Sequence, residues 1–288
     1  MSQLVDVAII GAGPAGLVAA LRMQQLGYRV LLIGHSSLPH AQIGEALTPG
    51  VKSMLDLLNA QECINKLPVL ERLPTRMCWQ KRQPEPSGSM DNAMVDHAAF
   101  SAALLQLARE RNILVHLPAH IDQIKGDAGD WQIQFSDAAG EHLMLAAFLL
   151  DAQGRHGNSS SRIACAPSLL AIRVEFSVSK IAPEFARTNR MEACEQGWLW
   201  GSPLPDQRYR LMFCCDPHSA HNQAEALLRQ QCKNSQLFAA LADLPFDGKL
   251  QADDASAYMD GNSYQPGRLK LGDAAFALDP LSQSGVEK

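Results

Sequence analysis

The chain has 288 residues, of which 47% are hydrophobic and 19% charged, and its formal net charge is −5. This composition supports a buried core and excludes a disordered chain. The mild negative charge, with no block of basic residues, argues against nucleic acid and against an anionic membrane surface as partners.

The first predicted element is a buried parallel strand at residues 5–10, where "VDVAII" is mostly apolar and β-branched. The glycines that follow, Gly11, Gly13 and Gly16, form the pattern G-x-G-x-x-G. In a dinucleotide-binding fold, the first glycine permits a tight turn and the second lets a pyrophosphate approach the backbone. The third lets the helix pack closely on the strand.

A helix is predicted to open at Pro14, because proline suits a first helical turn, and to end near Gly27. A second strand follows at residues 29–33. The glycine pattern therefore follows a strand, opens a helix and precedes a second strand. This context predicts an α/β nucleotide-binding fold, with the phosphates at the helix N-terminus.

The acidic residue that binds a ribose after the second strand of such folds is absent from this chain. Gly34 and His35 stand at this position. We therefore expect His35 or Ser36 to contact the ribose, or the affinity for the nucleotide to be reduced.

Further elements follow from the periodicity of the apolar residues. The sequence predicts a helix at 47–58, a strand into a second domain at 68–82, a helix capped by Asp96 in "VDHAAFSAALLQLARERN", and strands at 113–116, 132–135 and 147–150. From residue 169 to about 264, segments such as "AIRVEFSV" and "YRLMFCC" alternate as antiparallel strands do. A helix at 223–241 is predicted to cover that sheet, and a last strand at 268–271 ends in a corner at Gly272.

Five stretches carry a family resemblance, in the order "GAGPAG", "GEALTPGV", "DAQGRHG", "GWLWGSPLPD" and "GDAAFALDPLSQSG". Together they resemble motifs of FAD-dependent tryptophan halogenases and of flavoprotein monooxygenases of the p-hydroxybenzoate hydroxylase type. The resemblance implies an α/β fold in which a Rossmann-like FAD-binding domain carries an inserted antiparallel-sheet substrate domain. The FAD-binding domain is expected at residues 1–65, 92–165 and 264–288, and the substrate domain at 66–91 and 166–263.

The same resemblance implies a set of cofactor contacts. In this chain they are Gly11, Gly13, Pro14, Ala15, Gly16, His35, Gly44, Glu45, Ala46, Asp151, Gly154, Gly272, Asp273, Pro280 and Gly285. Asp273 is expected to accept a hydrogen bond from a ribityl hydroxyl of the flavin. A helix that starts near Ser282 would direct its N-terminal amides at the flavin ring, where they would stabilise the charge of the reduced form.

Three positions depart from the family pattern. His97 stands where arginine is usual, Ser202 replaces an isoleucine after the tryptophan motif, and residues 68–80 lack the lysine that halogenases use. Lys81 lies at the far end of that stretch. Trp198 and Trp200 stand at alternate positions of a strand, which fits either contact with a substrate or a place in the core.

The resemblance implies an FAD-dependent oxidoreductase. The reading favoured is a monooxygenase that acts through a flavin hydroperoxide on a small aromatic molecule or on a residue of a partner polypeptide. The alternatives are a flavin-dependent halogenase, a reductase of isoprenoid double bonds like geranylgeranyl reductase, and a truncated flavoprotein without catalysis. A second glycine fingerprint is absent from the sequence, so NAD(P)H in transient contact, or a partner flavin reductase, is expected to supply electrons.

The two ends of the chain and its cysteines predict where the protein is located and whether the chain is truncated. The N-terminus has no basic region before its apolar residues, and no apolar run reaches the length of a membrane span. The seven cysteines lack C-x-x-C spacing and the histidines lack metal-ligand spacing, which argues against disulfides and a metal site and favours the cytoplasm. Because Lys288 ends the chain one turn into a helix, we expect a truncated product that holds FAD weakly.

Overall fold

The computed structural model describes residues 3–35, 46–79, 85–89, 93–157 and 159–282. The strands of these residues are β1 Gln3–Ile10, β2 Val30–Ile33, β3 Ala46–Leu47, β4 Leu70–Glu71, β5 Pro74–Cys78, β6 Glu85–Ser89, β7 Ala93–Met94, β8 Leu114–His116, β9 Ala119–Lys125, β10 Trp131–Asp137, β11 Gly140–Asp151, β12 Arg162–Ala164, β13 Leu170–Ser177, β14 Asn189–Cys194, β15 Gly197–Pro203, β16 Arg208–Cys215, β17 Gln251–Asp254, β18 Tyr258–Asp260, β19 Tyr264–Gln265, β20 Arg268–Lys270 and β21 Phe276–Ala277.

The helices are fewer and connect or cover the sheets. They are α1 Pro14–Gln25, α2 Pro49–Leu57, α3 Glu62–Asn65, α4 His97–Glu110, α5 Pro217–Ala220 and α6 Ala224–Asn234. Short 3-10 turns lie at Gly154–His156, Val178–Lys180, Pro183–Arg187, Ala239–Leu241, Gly272–Ala274 and Pro280–Ser282. Among the described residues, no helix is long and apolar enough to cross a membrane.

The first sheet is the nucleotide-binding type that the glycine pattern predicts. Its order is β19-β20-β11-β1-β2-β8, and β1 pairs in parallel with both β2 and β11. Helices α1 and α4 pack on one face through residues such as Leu17, Leu21 and Phe100. Strands β10 and β9 extend the same sheet from β11 by antiparallel pairing. Their residues Ile133 and Phe135 belong to the apolar cluster on the opposite face. Burial on both faces explains why β2 is a continuous apolar run.

The second sheet has the order β17-β13-β16-β15-β14-β5-β6. Its pairs are antiparallel, apart from the parallel pair of β14 with β5. One face is closed by α6, and the opposite face contacts Ala46 and Met94 beside the first sheet. Two three-stranded sheets, β3-β7-β4 and β12-β18-β21, are also present, and the first of them contacts the second large sheet through Ala46 and Met94. The α/β Rossmann-like fold with an antiparallel sheet is therefore confirmed.

The structure corrects the start of the helix predicted at 47–58, because its first residue, Leu47, is in β3. Ala46 and Leu47 pair with Met94 and Ala93 of β7. The helix begins at Pro49, after Thr48 in an extended N-cap conformation. A proline at the first helical position lacks only an N–H that a helix N-terminus leaves unbonded anyway.

The strand predicted at 68–82 is two short strands, β4 and β5. Arg72 lies between them with φ of 52°, outside the range of an extended strand. β4 joins the small sheet with β7, whereas β5 joins the second large sheet. The stretch thus supplies one strand, β5, to the second large sheet, and the domain boundary at residue 66 stays a prediction.

The helix predicted at 223–241 is also wrong beyond Asn234. Ser235 is extended, and its hydroxyl accepts hydrogen bonds from the N–H groups of Leu237 and Phe238. The Glu192 carboxylate accepts from the N–H groups of Gln236 and Leu237. These side-chain acceptors replace the helical carbonyls, so the chain continues as a 3-10 turn at Ala239–Leu241.

Candidate functional site

The turn between β1 and α1 is crowded in a way that requires glycine at two positions. Gly11 has φ of 109°, and a Cβ there would lie 2.2 Å from the carbonyl oxygen of Ala152. A Cβ on Gly16 would lie 1.9 Å from the carbonyl oxygen of Gly11. The first and third glycines of the pattern therefore let β1, α1 and the end of β11 approach one another.

Gly13 is a glycine for a different reason. An added Cβ at Gly13 would meet no heavy atom of the described residues within 4 Å, and its φ of −74° suits any amino acid. No side chain in the described part of the chain caps α1, and its first turn has no acidic residue. The positive end of the helix thus faces space that the described residues leave open, which is the arrangement that binds phosphate.

The end of β2 explains the missing acidic residue. A Cβ on Gly34 would lie 2.3 Å from Cδ2 of Leu117 and 2.9 Å from Cβ of Ala12. No side chain larger than hydrogen fits there without displacing these neighbours. His35 is exposed at the next position, and its ring centroid lies 5.7 Å from that of His120.

The Asp151 carboxylate is held by partners within the protein. Its Oδ2 lies 2.8 Å from Nη2 of Arg268, and its Oδ1 accepts a hydrogen bond from the N–H of Gln153 at 3.3 Å. This pair of the buried Asp151 with the partly exposed Arg268 joins the end of β11 to the start of β20. Gly154 follows with φ of 66°, and an added Cβ there would meet no described atom within 4 Å.

The turn Gly272–Ala274 packs directly on the start of α1. A Cβ on Gly272 would lie 2.8 Å from Cβ of Ala15, and the residue has φ of 54°. Asp273 lies 3.3 Å from Nε of Arg155, and Tyr258 donates a hydrogen bond from its hydroxyl to the Asp273 carbonyl at 2.5 Å. The turns at Gly154 and Gly272 are therefore joined by side chains next to the open helix end.

Arg155 is a residue for which the sequence leaves two alternatives, a group at the flavin edge or a position in a solvated loop. It donates from Nη1 to the carbonyl of Ser256 at 2.7 Å while its Nε faces Asp273, and 19% of its side chain is exposed. Its guanidinium also lies 5.6 Å from the ring centroid of Tyr258. The arginine inside "DAQGRHG" was the available signal, since a cation next to a strand-end glycine is suited to contact a flavin or its phosphates.

Of the other predicted cofactor contacts, two lie within the described residues and three lie outside them. Ala46 is buried in β3, and Pro280 begins the 3-10 turn Pro280–Ser282. Gly44, Glu45 and Gly285 lie outside the described residues, so their assignment as cofactor contacts stays a prediction.

Trp198 and Trp200 are buried on the face of the second sheet that is turned toward the nucleotide-binding sheet. They belong to one apolar cluster with Ala46 and Met94, and with Met212 of the neighbouring strand β16. Their 8% and 6% exposure shows that they fill this interface. The position fits both a core role and contact with a molecule bound between the sheets.

The same face continues into a polar cavity of about 350 Å³. Arg173 and Glu175 of β13 line it together with Arg208 and Arg210 of β16, and the start of α4 closes it with His97. Glu175 pairs with both Arg208 and Arg210, and Arg173 lies 3.2 Å from Asp253. The i, i+2 spacing of these charges was the sequence signal for one polar face.

His97 is the buried imidazole at the edge of this cavity. Burial lowers its pKa, although the neighbouring Asp96 carboxylate opposes that effect. Its Nδ1 is buried and has no hydrogen-bond partner among the described residues. Asp96 caps α4 as predicted, since it accepts a hydrogen bond from the N–H of Ala99 at 3.0 Å.

The parallel sheet, the crowded glycine turn and the open helix N-terminus define a dinucleotide-binding protein with a second, antiparallel sheet above the site. The FAD dependent oxidoreductase family matches residues 6–155, which is more than half of the chain. The chain belongs to this family, and FAD is its cofactor.

Relatives extend the similarity over almost the whole chain. A tryptophan 2-halogenase from Chondromyces crocatus is 24% identical over 97% of this chain and 58% of its own length. The structure of CmlS, a flavin-dependent halogenase, is 25% identical with a TM-score of 0.86, and the match covers 99% of this chain and 56% of that one. The peptidyl tryptophan dihydroxylase QhpG shares the fold, with a TM-score of 0.77, 21% identity and coverage of 98% and 63%. The chain thus spans about three fifths of the length of the curated relatives it matches.

Proposed function

We propose that this chain forms the FAD-binding and substrate-facing part of an FAD-dependent monooxygenase that oxidises an aromatic molecule or an aromatic residue of a polypeptide. The main support for this proposal is the apolar contact between the antiparallel sheet and the nucleotide-binding part of the chain. There, Trp198 and Trp200 of the antiparallel sheet contact Ala46 and Met94 beside the nucleotide-binding sheet. In this proposal residues 1–65, 92–165 and 264–288 bind FAD, and residues 66–91 and 166–263 face the substrate.

The residues around the start of α1 fit FAD in an extended conformation. The N–H groups of Ala15 and Gly16 at the start of α1 hold the pyrophosphate, in the space that Gly13 leaves open. Asp273, which Arg155 positions, accepts a hydrogen bond from a ribityl hydroxyl. His35 lies at the exposed end of β2 and serves the ribose of the adenosine half.

Reduced FAD supplies the activation of O2, and the protein's own groups orient the substrate and exclude water. The tryptophans provide an apolar wall against which an aromatic ring can stack. The cavity beside them adds paired arginines and carboxylates, which suits a substrate that carries hydrogen-bonding groups around its ring. Electrons come from NAD(P)H in transient contact or from a partner flavin reductase.

A substitution at Gly13 separates cofactor binding from folding. In Gly13→Val the new side chain points into space that the described residues leave empty, so we expect the fold to be kept and FAD affinity to fall at least tenfold. The measurement is titration of the apoprotein with FAD, followed by flavin fluorescence, with thermal unfolding of the apoprotein as the control. Unchanged FAD affinity in this variant would contradict the placement of the pyrophosphate.

Gly16→Val is the matched comparison in the same turn. Its Cβ would clash with the Gly11 carbonyl, so this variant is expected to lower the stability of the apoprotein itself. Equal loss of stability in both variants would show that Gly13 also serves packing.

Turnover is tested with FAD, a flavin reductase, NADH and an aromatic substrate such as tryptophan or a tryptophan-containing peptide. Trp200→Phe is expected to lower kcat/KM for substrate oxidation while FAD binding is kept. Trp131→Phe is the control, because Trp131 is buried in the first sheet away from this face. A chain that binds FAD and never oxidises any substrate would instead support the non-catalytic alternative.

Halogenation is the second candidate, favoured by halogenase relatives that match 97–98% of the chain. Against it, residues 68–80 contain no lysine. The two functions differ in their need for halide. A product that forms only with chloride or bromide supports the halogenase, whereas a hydroxylated product that forms without halide supports the monooxygenase.

A further inference from the structure

Three side chains that are distant in the sequence converge at the edge of the first sheet. His116 ends β8, Asp137 ends β10, and His142 lies near the start of β11. Nδ1 of His116 lies 2.6 Å from Oδ2 of Asp137, and Nε2 of His142 lies 2.8 Å from Oδ1. All three donor atoms lie within 4.8 Å of one another.

Packing fixes both imidazoles in this arrangement. The ring of Phe135 lies 4.8 Å from each, edge-on to His116 and stacked on His142 with an interplanar angle of 19°. The Asp137 carboxylate is oriented from its own hairpin, because Oδ1 accepts a hydrogen bond from the N–H of Ala139 at 2.8 Å. The side chains are 14–27% exposed, so one side of the cluster is open to solvent.

Two imidazoles and a carboxylate are a donor set that suits zinc and neighbouring divalent transition ions. Zinc binds such nitrogen and oxygen donors at about 2.0–2.2 Å, in tetrahedral geometry with water in a free position. The three donor atoms already lie within 4.8 Å of one another. They could therefore surround one ion after small movements of the side chains. The ion would replace the hydrogen bonds that each imidazole now makes to Asp137.

We propose that His116, Asp137 and His142 form a binding site for one zinc-class divalent ion, with water completing its coordination. The ion ties β8 to the hairpin of β10 and β11. It also lies near the end of β2, since the His116 carbonyl accepts a hydrogen bond from the N–H of Gly34 at 3.2 Å. None of the three ligands is among the residues proposed to bind FAD, so the proposal does not depend on the proposed reaction.

The spacing of these residues shows why the sequence predicts no metal site. His116 and Asp137 are separated by 21 residues, and no short motif joins them. Only the pairing of β10 with β11, which brings residue 137 opposite 140, together with the place of β8 in the same sheet, puts the three donors together.

The test uses the full chain without a histidine tag, stripped with a chelator and free of FAD. Co²⁺ is titrated into the protein and followed by its d–d absorption, and Zn²⁺ is then added in competition. We expect one equivalent of Co²⁺ to bind and Zn²⁺ to displace it. We also expect zinc to raise the unfolding temperature, because an ion that binds the folded state alone stabilises it.

Variants assign the ligands. His142→Gln keeps a hydrogen-bond donor toward Asp137 and removes the imidazole, and we expect at least a tenfold loss of Co²⁺ affinity. His120→Ala is the control, because His120 is exposed beside the cluster and lies 4.0 Å from Asp122. A tenfold loss in the control with none in His142→Gln would overturn the assignment.

X-ray absorption of the zinc-loaded wild-type protein gives a readout that needs no variant. Two imidazole scatterers and oxygen ligands are expected around zinc. Failure of the wild-type protein to bind Co²⁺ or Zn²⁺ stoichiometrically, or a zinc shell with no imidazole, would overturn the proposal. The cluster would then be a hydrogen-bonded network alone.

Discussion

The two faces of the second sheet are built from the same strands but have opposite characters. Along β16, Leu211 and Phe213 point to the face under α6, and Arg210 and Met212 point to the face beside the nucleotide-binding sheet. The covered face is closed by the chain's own helix. The opposite face, which is turned toward the nucleotide-binding sheet, combines an apolar wall of tryptophans with a polar cavity. Alternation along a strand thus separates the residues that stabilise the sheet from those available to a ligand.

The covered face nevertheless depends on one buried carboxylate. Glu192 of β14 accepts hydrogen bonds from the hydroxyl of Ser235 and from the N–H groups of Gln236 and Leu237. These bonds end α6 and turn Leu237 and Phe238 into the core. The covered face is therefore closed by polar bonds as well as by apolar contacts.

The largest expected effect is the loss of this carboxylate. Glu192→Ala leaves the Ser235 hydroxyl and the Gln236 N–H without their acceptor, and the Leu237 N–H with the Ser235 hydroxyl alone. We expect a loss of about 3 kcal/mol in the free energy of unfolding. Urea denaturation measures it. Glu195 is exposed and directly follows the end of β14, three residues after Glu192. Glu195→Ala should therefore change stability by less than about 0.5 kcal/mol. Similar losses in the two variants would argue against this role for Glu192.

How far the sequence predicts this fold depends on the range of the interactions involved. The glycine turn, the Asp96 cap and the alternating strands are local patterns, and the structure confirms them. The end of α6 is not local, because Glu192 precedes Ser235 by 43 residues. An apolar period in "AEALLRQQCKNSQLFAAL" continues past the point where these bonds stop the helix.

The candidate site also contains both local patterns and contacts between residues that are distant in the sequence. Gly11 and Gly16 are recognisable because their neighbours in the sequence set the turn. The clash at Gly34 comes instead from Leu117, and the link between Arg155 and Asp273 spans more than a hundred residues. Contacts of this kind depend on which strands become neighbours, and one sequence does not reveal that order.

The second prediction compares adjacent residues of β15 that point to opposite faces. A Cβ on Gly201 would lie 2.2 Å from the Tyr209 hydroxyl and 2.7 Å from the ring of Phe238. We expect Gly201→Ala to cost about 1–3 kcal/mol through overpacking. Ser202→Ala, on the other face, removes a hydrogen bond of 2.6 Å to Asn189 and should cost about 1 kcal/mol. Urea denaturation of both variants checks the order, and a larger loss in Ser202→Ala would contradict the tighter packing of the covered face.

The smallest expected effect is a pH dependence of the stability, and it comes from His97 at the edge of the polar cavity. Burial lowers the pKa of His97 below its ordinary value of 6.5, so the folded protein binds this proton less readily than the unfolded chain. The contribution of neutral His97 is therefore complete above pH 6.5, and stability falls as the pH is lowered from 6.5 toward the folded-state pKa. His97→Gln should remove this part of the acid sensitivity while the polar cavity is kept. Urea denaturation at pH 7.5 and pH 5.5 measures the difference. An equal fall in both proteins would mean that other groups cause the acid sensitivity, and that His97 is not held neutral at the edge of the cavity.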